Sequence, residues 1–174
     1  MIRVLYVDDD PLLLDAGRLY IQKLSDFTVD IAESATDALT RLGQISYDAI
    51  ISDYQMPVMD GLSFLRHLRE NKNTIPFILF TGKGREEVVI EALNNGADYY
   101  LQKGGQPRAQ FTELIHKVRL AIEKRDSEKE LRRSHQQIKD IINHLPDPTF
   151  AINLNGEVIA WNRAQAALTG LSGD

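Results

Sequence analysis

Cysteine is absent from the 174 residues. That excludes disulfides and thiolate metal sites, and it fits a reducing compartment. The chain also lacks a basic block, and its net charge is -5, so general affinity for nucleic acid is not expected. Long apolar runs are missing too. The first, Met1 to Val7, meets acids at once and is too short for a signal peptide or a spanning helix. These absences lead us to expect a cytoplasmic protein without nucleic-acid or membrane partners. Proline and glycine are missing from Ala109 to Leu145, which leaves nothing to interrupt a long helix there.

Hydrophobic residues make up 43% of the chain, enough for a packed core. Residues 3–8 read as a short strand rich in valine and leucine, ended by Asp8 and Asp9. Asp10 followed by Pro11 starts a helix, as an N-cap with proline in the first turn. That helix carries Leu13, Gly17, Tyr20 and Leu24 at helical spacing. Phe27 to Ala32 is a second strand. Ser34 caps a helix with Ala35, Ala38, Leu39 and Leu42 inward, closed by Gly43. Ala49-Ile50-Ile51 leads a third strand to Asp53, Met56-Pro57 stops it, and Asp60-Gly61 opens a helix bearing Leu62, Leu65 and Leu68. Pro76 to Thr81 is a fourth strand, through Phe77-Ile78-Leu79-Phe80. Gly82-Lys83-Gly84 reads as a flexible loop, and a helix with Val88, Val89, Ala92 and Leu93 stops at Gly96. Tyr99-Tyr100-Leu101 is a fifth strand, left through Lys103-Gly104-Gly105, and a fifth helix runs from about Arg108.

Continuous apolar strands alternating with helices argue for a parallel sheet covered on both faces, an α/β doubly wound fold. Asp8, Asp9, Asp53, Thr81 and Lys103 then gather at the carboxyl edge of one sheet, where such folds bind ligands. Three carboxylates at one edge repel each other without a cation. Oxygen ligands suit a hard divalent ion, foremost Mg2+. A lysine and a hydroxyl beside it suit phosphoryl oxygens, and an aspartate there can be a nucleophile toward phosphorus.

From residue 1 to about 124 the chain resembles the receiver domain of two-component response regulators. The resemblance rests on the acid pair after the first strand, Asp53 followed by Met56-Pro57 and Asp60-Gly61, Thr81 closing the fourth strand, and Tyr100 three residues before Lys103. It implies a flavodoxin-like sheet of order 2-1-3-4-5. It implies that Asp53 accepts a phosphoryl group from a histidine kinase, a phosphotransfer protein or a small phosphodonor. Asp8, Asp9, Asp53 and the backbone carbonyl of Gln55 would hold Mg2+. Lys103 would bridge to the phosphoryl oxygens, and Thr81 and Tyr100 would form the switch. Catalysis would be limited to self-catalysed phosphoryl transfer to Asp53 and autodephosphorylation. Gly104 stands where the family usually has a proline, and Gln55 and Lys83 stand where it tunes phosphoryl lifetime.

Residues 125–144 read as a helical linker with a mixed-charge run. Leu131, Ile138, Ile142 and Leu145 are spaced as a short coiled-coil seam. We expect a homodimer through this seam, through the face of the fourth helix, fifth strand and fifth helix, or through both. Residues 145–174 resemble the opening of a PAS domain, in Leu145-Pro146-Asp147, the Asn155-Gly156 hairpin turn and Trp161-Asn162 before a helix. The match covers the first third of such a domain, which implies a longer protein or a tail packed on a partner chain, and it supports no haem or flavin. A phosphorylation-independent scaffold of receiver fold is the alternative. A hydrolase is disfavoured because no second acid lies two residues beyond Asp53. A DNA-binding regulator is disfavoured because no helix-turn-helix follows the fifth helix. His135, in Arg133-Ser134-His135-Gln136, lacks the acid and proline of a kinase phosphoacceptor helix. His67, His116 and His144 lack metal-ligand spacing.

Overall fold

The structure is a computed structural model that describes residues 2–82 and 86–170. The expected Gly82-Lys83-Gly84 loop lies largely outside the described residues, Lys83 included. The chain divides into two compact units, Met1–Arg125 and Asp126–Asp174.

In the first unit, strands β1 (Arg3–Val7), β2 (Thr28–Ala32), β3 (Ala49–Ser52), β4 (Phe77–Thr81) and β5 (Tyr99–Gln102) form one sheet of order β2-β1-β3-β4-β5. All pairs are parallel. Helices α1 (Pro11–Leu24), α2 (Ala35–Leu42), α3 (Gly61–Glu70), α4 (Glu86–Asn94) and α5 (Pro107–His144) connect and follow the strands. Because strand side chains alternate sides, each strand feeds two cores. Val4, Tyr6, Ile51, Ile78 and Phe80 pack with Leu14 and Ile21 of α1 and Phe111, Leu114 and Val118 of α5. Leu5, Val7, Ile50, Phe77 and Leu79 pack with residues of α2, α3 and α4. The central strands are covered on both sides, which is why they read as unbroken apolar runs.

The caps fall where the sequence places them. The Asp10 carboxylate accepts from Leu12 N and Leu13 N, Ser34 from Asp37 N, and Asp60 from Ser63 N. Each satisfies an orphan donor of a first helical turn, worth about 1 kcal/mol. One helical phase is corrected. The face of α1 turned to the sheet is Leu14, Gly17 and Ile21, whereas Leu13 and Tyr20 are 44% and 37% exposed. Pro11 begins this helix one turn before Leu14, and the expected stripe through Leu13 and Tyr20 was one residue out of phase on both sides of Gly17. The α4 helix likewise buries Ala92 and leaves Leu93 exposed.

The α5 helix buries Phe111, Leu114, Ile115, Val118, Ala121 and Ile122. Arg119 pairs with Asp26 at 2.5 Å, and Arg125 donates to the Asp48 carbonyl at 3.0 Å. In the second unit, Leu131, Ile138 and Ile141 on the distal part of α5 and Leu145 just past it are exposed, and Ile142 is half-buried. Strands β6 (Phe150–Ile152) and β7 (Val158–Trp161) form an antiparallel hairpin, followed by α6 (Arg163–Thr169). Gly156 takes φ 81° in the turn, a left-handed conformation that suits glycine. Asn162 is 1% exposed. Its Nδ2 donates to the carbonyls of Leu145 and Asp147, and its Oδ1 accepts from the amides of Thr149 and Gln165. One side chain thus joins the end of α5, the start of the hairpin and the cap of α6.

Candidate functional site

The carboxyl ends of β1, β3 and β4 and the loop after β5 meet at one edge of the sheet. The chain leaves β1 through Asp8, which is 2% exposed, and β3 through Asp53, which is 6% exposed. Lys103, just past β5, reaches between them. Its Nζ lies 2.5 Å from Asp8 Oδ2 and 2.7 Å from Asp53 Oδ1, and 5.6 Å from the centre of the Phe80 ring. A lysine held over an aromatic ring and between two carboxylates is a charge-assisted bridge with little freedom.

The remaining oxygens are also partly committed. Asp8 Oδ1 accepts from Asp10 N at 3.1 Å, and Asp53 Oδ2 from Gln55 N at 2.6 Å. Burial pushes the Asp53 carboxyl above its ordinary value; Lys103 pulls it down and Asp8 adds to the rise. The backbone of Asp53 is fixed as tightly. Its carbonyl accepts from Ser52 Oγ at 2.8 Å, and α3 begins so close that a Cβ on Gly61 would run into that carbonyl and lie 2.9 Å from Leu79 Cδ1. Gly61 N donates to Tyr54 O at 2.9 Å. Glycine is what allows this approach.

Asp8, Asp53 and Lys103 therefore come together. Thr81 is buried at the end of β4, and its carbonyl accepts from Lys103 N at 2.7 Å. Tyr100 is half-buried, and its hydroxyl has no hydrogen-bond partner among the described residues. Asp9 is exposed. It lines, with Tyr54, Gln55, Met56, Pro57 and Asp60, an open groove of about 410 Å³. Gly104 takes φ 151°, where a side chain would be strained. One site feature escaped the sequence reading, the contact of Gly61 on Asp53, for which the Asp60-Gly61 pair was a signal taken only as a helix start.

The donor set fits a hard cation in its chemistry. Two buried carboxylates share one lysine and so keep a net negative charge, with an exposed acid beside them and only oxygen donors. Among the described residues no three such groups form a ready-made metal cluster.

A parallel 2-1-3-4-5 sheet with a lysine-bridged acid pair at its carboxyl edge defines a receiver-type signalling domain. A family model for the response regulator receiver domain matches residues 4–119, and one for the PAS fold matches residues 136–174. The chain belongs to the response regulator receiver domain family of two-component signalling, whose members typically bind Mg2+ at the phosphorylation site. It is similar to the transcriptional regulatory protein ResD of Bacillus subtilis, 33% identical over 106 residues that cover 61% of this chain and 43% of ResD. It is 28% identical to the response regulator Rre1 of Synechocystis over 153 residues, 85% of this chain and 66% of Rre1. The chain thus spans less than two thirds of these relatives. Among solved structures, a Francisella response regulator receiver domain superposes with TM-score 0.65 at 28% identity, covering 71% of this chain and 98% of that one. A CheY-like receiver from Methanospirillum hungatei gives 0.63 at 26% identity, covering 71% and 98%. Among the described residues, no helix is long and apolar enough to cross a membrane.

Proposed function

We propose that Asp53 is the phosphoacceptor of this receiver and that residues 1–124 pass its state, through a helical linker at 125–144, to a PAS-like region beginning at 145. The observation that carries the reading is Lys103 Nζ within 2.7 Å of Asp53 Oδ1 and 2.5 Å of Asp8 Oδ2. A carboxylate oxygen of Asp53 attacks phosphorus on a histidine kinase or phosphotransfer protein. The bond from phosphorus to the donor's imidazole nitrogen breaks, that nitrogen takes a proton from solvent, and an acyl phosphate remains on Asp53. Asp8, Asp9, Asp53 and the carbonyl of Gln55 would hold Mg2+, which when bound supplies charge neutralisation for the transferring group. Lys103 turns from Asp53 to the phosphoryl oxygens and keeps Asp8 in place. Thr81 supplies a hydroxyl donor from the end of β4. Tyr100 follows inward; its hydroxyl forfeits no hydrogen bond when the ring moves.

The partner of the output is a second copy of the chain. Leu131 and Ile138 on α5 and Leu145 just past its end repeat every seven residues and stand open for a two-stranded seam. Intact mass after incubation with acetyl phosphate and Mg2+ tests the acceptor. A single phosphoryl adduct on the wild type, absent from Asp53→Asn and without Mg2+, is the expected result. An adduct that survives in Asp53→Asn refutes the assignment, and no adduct with any donor leaves a receiver-shaped scaffold.

A further inference from the structure

Strand alternation sorts the acid edge into two sides. Phe80 and Leu101 are register partners on β4 and β5, and both belong to the core beneath α1 and α5. Lys103 N donates to Thr81 O at 2.7 Å, which carries the pairing one residue past β5. Lys103, two residues after Leu101, therefore emerges on the same side as Phe80. Thr81 follows Phe80 and turns the other way, and Tyr100 packs with the core on that other side. The lysine and the expected switch pair are thus served by different layers of the fold.

The lysine's side has an aromatic wall. Lys103 Nζ lies 5.6 Å from the centre of the Phe80 ring. Phe80 is 1% exposed, and its ring meets that of Phe111 on α5 at 5.9 Å between centroids, with the planes at 65°. Phe111 in turn stacks on Tyr20 of α1 at 5.1 Å and 4°. The ring beside the lysine is fixed by these neighbours. Leucine or valine would serve the strand as well, but only an aromatic face attracts a cation, through its quadrupole.

The carboxylates and the ring act on Lys103 in different ways. Asp8 and Asp53 hold it by charge, and Asp53 must be released to attack phosphorus. During that exchange an ammonium on a flexible stem is free to stray. The ring stays in place whether or not Asp53 is available, and it leaves the three N–H donors of the lysine to the phosphoryl oxygens.

We infer that Phe80 is a positioning residue for phosphoryl transfer, its ring face keeping Lys103 Nζ at the site while the lysine changes acceptors. The inference rests on the reading of Asp53 as the phosphoacceptor and of Lys103 as its phosphoryl contact.

The test uses the full chain with Phe80 replaced by fluorinated phenylalanines, up to the pentafluoro ring. These nearly keep the shape of the side chain and drain negative charge from its face. Phe80→Leu would not decide, because it also opens a cavity in the core. Two quantities are read, the rate of labelling by acetyl phosphate at saturating Mg2+ and the urea unfolding equilibrium in EDTA. We expect the labelling rate to fall stepwise along the series, by about tenfold for the pentafluoro ring. The unfolding equilibrium should shift toward the unfolded chain by about threefold, less than the rate, because both carboxylates hold the resting lysine. In a Lys103→Met background both responses should shrink to within about twofold. A labelling rate that is flat across the series overturns the inference. So does an equal response in Lys103→Met, which would make the ring a matter of packing. Two outcomes separate the levels. If Asp53 is labelled at the wild-type rate throughout, the phosphoacceptor reading stands and the role of Phe80 is refuted. If no adduct forms on Asp53, while fluorination still shifts unfolding only when Lys103 is present, the contact is real but the phosphoacceptor reading fails, and the positioning role falls with it.

Discussion

Replacing Lys103 by methionine keeps most of the stem volume and removes the one cation shared by Asp8 and Asp53. The side chains of Lys103, Asp8 and Asp53 are 17%, 2% and 9% exposed, so solvent screens them little. At the two distances, each ion pair is worth about 6 kcal/mol of attraction for an effective dielectric of about 20. Desolvation offsets several kcal/mol per ion, and removing one partner of such a pair costs about 3–5 kcal/mol net. Lys103→Met is therefore expected to lose about 3 kcal/mol of unfolding free energy in EDTA at neutral pH. A divalent cation replaces part of the missing charge. At free Mg2+ about ten times its Kd, linkage adds about 1.4 kcal/mol. That gain should exceed the wild-type gain, because in the wild type Lys103 competes for the same oxygens. Urea unfolding followed by circular dichroism, with EDTA and with Mg2+, measures both quantities. Adding Asp53→Asn to Lys103→Met removes one orphaned charge and should recover most of the loss. A variant within about 0.5 kcal/mol of wild type in EDTA, a margin typical of surface changes, would refute the view that these groups share a buried charge balance.

Three further outcomes follow from single positions. Gly61→Ala forces a Cβ against the Asp53 carbonyl and should cost about 3 kcal/mol in urea unfolding; an unchanged midpoint would mean α3 can shift freely. Val58 is fully exposed with φ 69°, a poor conformation for a β-branched residue. Val58→Asn should stabilise by about 1 kcal/mol, and a lower melting temperature would contradict that. At Asp30, burial opposes ionisation, but the Arg3 guanidinium at 2.8 Å, together with Tyr47 and Arg41, holds the carboxyl below its ordinary value. A depressed folded pKa gives stability that is present above the unfolded value of about 3.9 and lost as pH falls through the folded one. Asp30→Asn should then be less stable by about 0.5 kcal/mol at neutral pH, given the half-open Arg3, with the gap closing as pH drops below about 4; a gap independent of pH would point to packing instead.

Most of the first unit was readable because its strands are buried on both sides and its helices carry conventional caps. Asp10, Ser34 and Asp60 mark the starts of α1, α2 and α3 by side-chain chemistry that acts within three residues. Asp8, Asp53 and Lys103 could be brought together because a parallel sheet sends the carboxyl ends of its strands to one edge. The misreadings arose where neighbours outside the element decide. The α1 stripe includes apolar residues on both sides of Gly17, so spacing alone did not choose between Leu13 and Leu14. Asp8 and Asp9 are alike in sequence, yet one is buried and the other exposed: Asp8 N still donates to Ala32 O where β1 ends, and Asp9 lies one residue further on. Tyr6 passed as one apolar residue among several, since its notch at Gly17 meets it only in the folded chain.

Trp161, the sole tryptophan, ends β7 in the second unit, half-buried and with an indole N–H that has no hydrogen-bond partner among the described residues. The first unit, with its acid edge, contains tyrosine and phenylalanine only. Indole fluorescence is thus a built-in reporter that belongs to the second unit alone, in a residue type the first unit does not contain. A change in its intensity or colour on adding a phosphodonor is read from the surroundings of Trp161 itself.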